Sequence, residues 1–166
     1  TDAARHDRIL DLSGGDTTAL TEIATTATLV LAEPEPDLEA MALLSVQRSR
    51  LNGRNANIPI TLPGVWARLG QPDRAEALAR SIPDTRQQAR ALTVLVLAVA
   101  EAGDLDRAQR LTDQAEQLAR TIADPGWQAT ALTALVHAVT RTGDLDRAQR
   151  LTDQAEQLAQ TITDPE

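Results

Sequence analysis

The segment Gly103 to Ala119, GDLDRAQRLTDQAEQLA, recurs without change at Gly143 to Ala159, 40 residues further along a chain of 166. Chance does not produce an identical run of this length. The residues before it are copied too, because ALTVLVLAVAEAG from Ala91 aligns at the same offset with ALTALVHAVTRTG from Ala131. A more diverged copy, GQPDRAEALARSIPD, begins at Gly70, 33 residues before Gly103, and its second half is shorter. Length alone would permit one compact domain or a short array. Repetition at this period decides for stacked supersecondary units, each of which buries its apolar face only against a neighbour.

Within one unit, Leu105, Ala108, Leu111, Ala115, Leu118 and Ile122 fall at spacings of three and four, which places them on one stripe of a helix. Asp106, Arg107, Arg110, Asp113, Gln114 and Gln117 take the other side, and Asp106 with Arg110 forms an expected exposed pair four residues apart. Asp104 suits the orphan donors at the helix start, Gly103 suits a left-handed terminator of the preceding helix, and Pro125 with Gly126 is expected to close the helix and start the next turn. The first helix of each unit, about Gln87 to Ala102 and Gln128 to Thr142, is apolar over more of its circumference. Leu92, Leu95, Val96 and Val99, with Ala91, Ala98 and Ala102, therefore need covering on two sides.

The apolar content of 42% comes from Ala, Leu, Val and Ile, with two Trp and no Phe or Tyr. Small and branched residues without a period of two fit closely packed helices and argue against a β-sandwich or barrel. All 16 basic residues are Arg, and the 24 acidic ones leave a net charge of -8. That sign disfavours nucleic-acid backbones and anionic membranes unless the Arg residues cluster, and they do not cluster strongly. Absence of Cys removes disulfides and thiolate chemistry and is compatible with a cytoplasmic location. No window approaches the roughly 18 apolar residues of a membrane span, and Thr1 to Asp7 lacks a signal peptide's core. Both ends read as cut points within a longer chain.

These residues resemble the tetratricopeptide repeat family. Its two-helix unit has a glycine between the helices and a small residue where they cross, positions matched by Gly70 with Ala75, Gly103 with Ala108 and Gly143 with Ala148. Leu95 and Val99 stand where the family has a Leu and an aromatic, and Ala115 occupies its second small position. The signature aromatics are replaced by Leu92, Val99 and Thr112, and the 40-residue copies exceed the usual length, extending the second helix by about two turns. The resemblance covers Thr61 to Glu166 and implies an all-α, right-handed solenoid of antiparallel helix pairs, with residues 1–60 as diverged helical repeats or a cap. Near-identical Ala- and Arg-rich arrays also resemble the C-terminal sensor regions of bacterial signal-transduction NTPases. The Lys-free, Ala-rich composition suits a GC-rich bacterial genome.

In the N-terminal part, Thr17 to Ala32 and Asp37 to Leu51 are expected as helices. The run Asn52 to Asn57 is expected as a loop, followed by an irregular entry between Pro59 and Pro63 to a helix bearing Trp66 and Leu69. Ser13-Gly14-Gly15-Asp16 lacks the lysine and strand of a phosphate loop and is expected as a helix-cap turn. His6 and His137 have no second His or Cys at ligand spacing, so neither metal nor other cofactor is expected. The repeated Gly-Asp-Leu-Asp runs into a helical stripe rather than into further calcium ligands. No enzymatic constellation emerges.

The family lines its inner wall with the first helix of each unit and holds a peptide or partner helix there. The resemblance carries that role to Arg90, Thr93, Leu97 and Glu101 in one unit and to Thr130, Thr133, His137, Thr140 and Arg141 in the next. Leu97 becomes His137, Ala100 becomes Thr140 and Glu101 becomes Arg141 although the second helices are identical. A recognition surface would vary in this way; so would a simply solvated face drifting between two copies. The expected function is a protein-binding scaffold or sensor module, not an enzyme. The competing expectation is self-association, a homodimer through the last helix, Asp144 to Ile162, whose stripe has no following helix to cover it. A pentatricopeptide-like RNA binder would need a basic groove, against the net charge.

Overall fold

A computed structural model of the chain describes residues 16–163. Its ordered elements are helices: α1 (Thr17–Leu31), α2 (Leu38–Asn55), α3 (Leu62–Arg68), α4 (Pro72–Ser81), α5 (Thr85–Glu101), α6 (Leu105–Arg120), α7 (Pro125–Thr142) and α8 (Leu145–Thr163). Among the described residues there is no strand. Consecutive helices pack as pairs, α1 on α2, α3 on α4, α5 on α6 and α7 on α8. The first helices α3, α5 and α7 also pack in a row, α4 reaches α5, α6 reaches α7, and α1 touches α4.

Local chemistry sets the helix ends. Asp37, Asp84, Asp104, Asp124 and Asp144 each accept a hydrogen bond from a backbone N–H in the first turn, at 2.8–3.1 Å, satisfying donors that have no partner inside the helix. Pro63, Pro72 and Pro125 occupy first-turn positions, where no N–H is missed. Gly70, Gly103 and Gly143 turn the chain at φ +77°, +85° and +88°, a region that costs an L side chain energy. At Gly103 the amide of Asp104 donates back to Val99 O at 3.2 Å, closing a Schellman turn between α5 and α6.

The core is aliphatic and runs through these pairs. Leu95, Val96, Leu111, Leu132, Leu135 and Leu151 are fully buried, as are the small side chains of Ala75, Ala108, Ala115 and Ala138. Gly64 marks another such approach: a Cβ there would meet Val94 Cγ1 at 2.8 Å, so α3 lies on α5 only because the side chain is absent. The second helix does lengthen between units, from ten residues in α4 to 16 in α6.

Several local expectations are corrected. The expected loop at Asn52 to Asn57 is mostly helix, because α2 runs to Asn55; Arg54 in its last turn reaches Asp16 at 2.6 Å, a tertiary contact that overrides the turn preference of the Asn and Gly residues. Pro125 and Gly126 open α7 rather than close α6, which ends at Arg120. Ile122 thus lies beyond the helix, yet remains buried. Asp106 and Arg110, both exposed, form no ion pair among the described residues. At the glycine-rich turn, Ser13, Gly14 and Gly15 lie outside the described residues. Asp16 stands at the start of α1, but its carboxylate caps nothing; it is buried and takes two hydrogen bonds from Arg54, at 2.6 and 3.2 Å. His6 and the terminal Asp-Pro-Glu also lie outside the described residues.

Candidate functional site

The nine residues expected on the inner wall do not form one surface. Thr93 is 7% exposed and its hydroxyl donates to Ala89 O at 2.9 Å, so it is a packing residue unavailable to a partner. Leu97 is half-buried against the core. Arg90 is exposed. Glu101, expected to face a ligand, instead accepts from Arg68 Nη2 of α3 and Arg141 Nη2 of α7, each at 3.1 Å. Along the row of first helices the charges therefore alternate, Arg68, Glu101, Arg141.

Thr130, Thr133 and His137 do come together. They line an open groove of about 700 Å³ between α7 and α8, with Ala129, Ala134 and Val136 from α7 and Thr152, Ala155, Glu156 and Ala159 from α8. The Thr130 and Thr133 hydroxyls donate to Gly126 O and Ala129 O within their own helix, which leaves a wall that is mostly methyl groups. Thr140 is exposed nearby and bonds likewise to Val136 O.

The contrast between Thr93 and Thr133 has a physical origin. They are the same position in two copies, 40 residues apart. In the earlier copy α7 lies against both α5 and α6, and Ala89, Thr93, Val96, Thr112, Ala115 and Ala119 are all buried. In the later copy no described helix occupies that place, so Thr133 and Ala159 are exposed and Thr152 is half-exposed. A threonine common to both copies is thus covered where a helix follows it and open where no described helix does.

A second set of groups escaped the sequence reading. Arg107 Nη1 reaches Asp73 at 2.6 Å and Glu76 at 3.3 Å, and Arg147 reaches Asp113 at 2.7 Å and Glu116 at 2.6 Å. Glu76 and Glu116 also hold Arg80 and Arg120, one turn on. These two rungs repeat at the 40-residue offset, because EALAR at Glu76 to Arg80 corresponds to EQLAR at Glu116 to Arg120; that alignment was the available signal. For Arg107, the hydrogen bond to Asp73 outweighs burial, with Glu76 and Asp104 adding, and its pKa lies above the ordinary guanidinium value. For Arg147, burial acts against the charge, but the hydrogen bonds and charges of Glu116 and Asp113 prevail, and its pKa is likewise raised. The next rung is open. Asp153 and Glu156 are exposed, Gln160 replaces the arginine of the earlier copies, and among the described residues Asp153 accepts only from Gln149 Nε2, at 2.8 Å.

The two Trp residues also carry cations. The Arg74 guanidinium lies 4.3 Å from the Trp66 ring centre and that of Arg86 lies 4.7 Å from Trp127, which joins the start of α5 to the start of α7. Among the described residues there is no cluster of three or more His, Cys, Asp or Glu placed to hold a metal ion, and no helix is long and apolar enough to cross a membrane. No protein-family model matches the chain, and neither a curated protein nor a solved structure matches it.

Proposed function

We propose that the chain is a right-handed solenoid of tetratricopeptide-like helix pairs serving as a protein-protein interaction module, a scaffold or sensor element rather than an enzyme. The observation that carries this reading is the groove of about 700 Å³ lined by Thr130, Thr133, His137 and the exposed flank of α8. Its walls are mostly the small side chains of Ala, Thr and Val, with His137 and Glu156 among them, a lining that a partner helix can pack against. The pairwise packing of α3 to α8 and the row of first helices support the solenoid. The net charge of -8 supports a protein partner over nucleic acid or membrane.

A second reading is self-association through α8. It is favoured by Ile162, half-exposed while its counterpart Ile122 is buried. A pull-down with the chain as bait, beside a His137→Ala, Arg141→Glu variant, tests the first reading: a partner held by the parent and lost by the variant supports it. Retention by both removes the groove from the explanation. Light scattering that reports a stable dimer in the absence of any partner favours the second.

A further inference from the structure

We propose that the groove between α7 and α8 is a docking face for a helical hairpin of this chain's own repeat chemistry, one that brings an acidic residue to Arg141 and an arginine to Asp153 and Glu156. The inference rests on the stacked-repeat reading above and goes beyond it by stating the charges of the occupant.

The occupied groove one repeat earlier serves as the template. There the α6 wall has the same sequence as α8, residue for residue from Gly103 to Ala119, and α7 fills it. Two polar contacts flank that seating. On one side Arg141 of the incoming α7 meets Glu101 at 3.1 Å. On the other, Arg147 at the start of the incoming α8 meets Asp113 and Glu116 at 2.7 and 2.6 Å. The open groove carries the same features with one sign inverted. The position of Glu101 is now Arg141, whereas Asp113 and Glu116 recur as the exposed Asp153 and Glu156. Complementarity therefore requires an acid near the end of the occupant's first helix and an arginine in the first turn of its second.

Both helix pairs of the duplicated region supply the arginine, as Arg107 or Arg147, but only α5–α6 supplies the acid, as Glu101. The pair α7–α8 would set arginine against Arg141. A second folded copy does not offer the matching pair, because its own α5 is enclosed by α3, α4, α6 and α7. The occupant is thus a hairpin of the α5–α6 pattern, with an acid at the place of Glu101 and an arginine at the place of Arg107.

The test titrates two synthetic hairpins, residues 85–124 and residues 125–163, onto the full chain and onto its Arg141→Glu variant. The first should bind the parent about fivefold more tightly than the second, the size expected of exposed charge pairs and like-charge contacts. Arg141→Glu should invert the order. Glu156→Arg should weaken both hairpins, since both carry the arginine. Because a free hairpin need not fold alone, each is also fused to the chain's C-terminus, where the high effective concentration removes that requirement. Amide exchange in α8 should then slow more with the 85–124 fusion than with the 125–163 fusion, and the order should invert with Arg141→Glu. Equal protection by both fusions without inversion refutes the charge rule while leaving the stacking reading intact. No protection of α8 by either refutes both, as does a homodimer that already shields α8 and excludes the hairpins.

Discussion

Ile122 and Ile162 stand at the same place in the two copies of the repeat, 40 residues apart, and their substitution by Ala should have unequal consequences. Ile122 is 7% exposed, Ile162 50%. Ile122 lies where the starts of α5 and α7 meet the end of α6, beside Arg86, Asp124 and Trp127. Ile162 lies by the start of α7, its Cδ1 3.7 Å from where a Cβ on Gly126 would stand. Ile→Ala removes roughly three carbons, worth about 0.8 kcal/mol each when fully buried. At Ile122 the cavity adds to this, giving a loss of about 2–4 kcal/mol. At Ile162 half of the surface is already wet and water fills the space, so the loss should stay near about 1 kcal/mol. Urea titration followed by far-ultraviolet circular dichroism measures both, and the comparison holds only if the slope is unchanged, since a stack of repeats can lose cooperativity. Equal losses at the two positions would mean that α7 does not cover Ile122, and the account of the open groove would fail with it.

Gly53→Ala should stabilise by about 0.5–1 kcal/mol, because Gly53 lies inside α2 with nothing within 4 Å of an added Cβ; Gly143→Ala, at φ +88°, should cost about 1 kcal/mol or more. Both are read from the midpoint of the same titration. Arg147→Ala should cost about 1–2 kcal/mol, since its side chain is 15% exposed and Glu116 14%, while Arg141→Ala, with its side chain 62% exposed, should change stability by less than about 0.5 kcal/mol. Comparable losses would show that the repeated rungs add nothing beyond surface charge. The raised pKa values of Arg107 and Arg147 mean that their contribution is fully present below the unfolded guanidinium value and is lost only above it. Those arginines therefore impose no slope on stability between about pH 7 and about pH 9, so Arg147→Ala should leave whatever slope exists there unchanged, and a slope that disappears with that substitution would contradict the assignment. Acrylamide should quench Trp127 in a Trp66→Phe chain more strongly than Trp66 in a Trp127→Phe chain, as Trp127 is half-exposed and Trp66 packs against the core.

Much of the architecture was legible before any coordinates. An identical run at a fixed offset implies a repeated unit, and the spacing of Leu105, Ala108, Leu111 and Ala115 gives the buried stripe. Gly103 and Gly143 turn as left-handed terminators, and Asp104 and Asp144 cap the helices that follow. These features depend on a few neighbouring residues, so a local pattern determines them. The candidate site was legible only in part. Thr130, Thr133 and His137 do line one groove, whereas Thr93 is inside and Glu101 is engaged with Arg68 and Arg141.

The sequence by itself determined the helices, the ends set by the Asp104 and Asp144 caps and the left-handed Gly103 and Gly143, and the unit that repeats, because backbone capping and helical periodicity act over a handful of residues. Tertiary structure decided which copy of each residue is covered. Thr93 and Thr133, Ala119 and Ala159, and Ile122 and Ile162 share local sequence almost completely and differ in exposure. Burial in a stack depends on the neighbour that follows, and a residue's own surroundings in sequence carry no information about that neighbour.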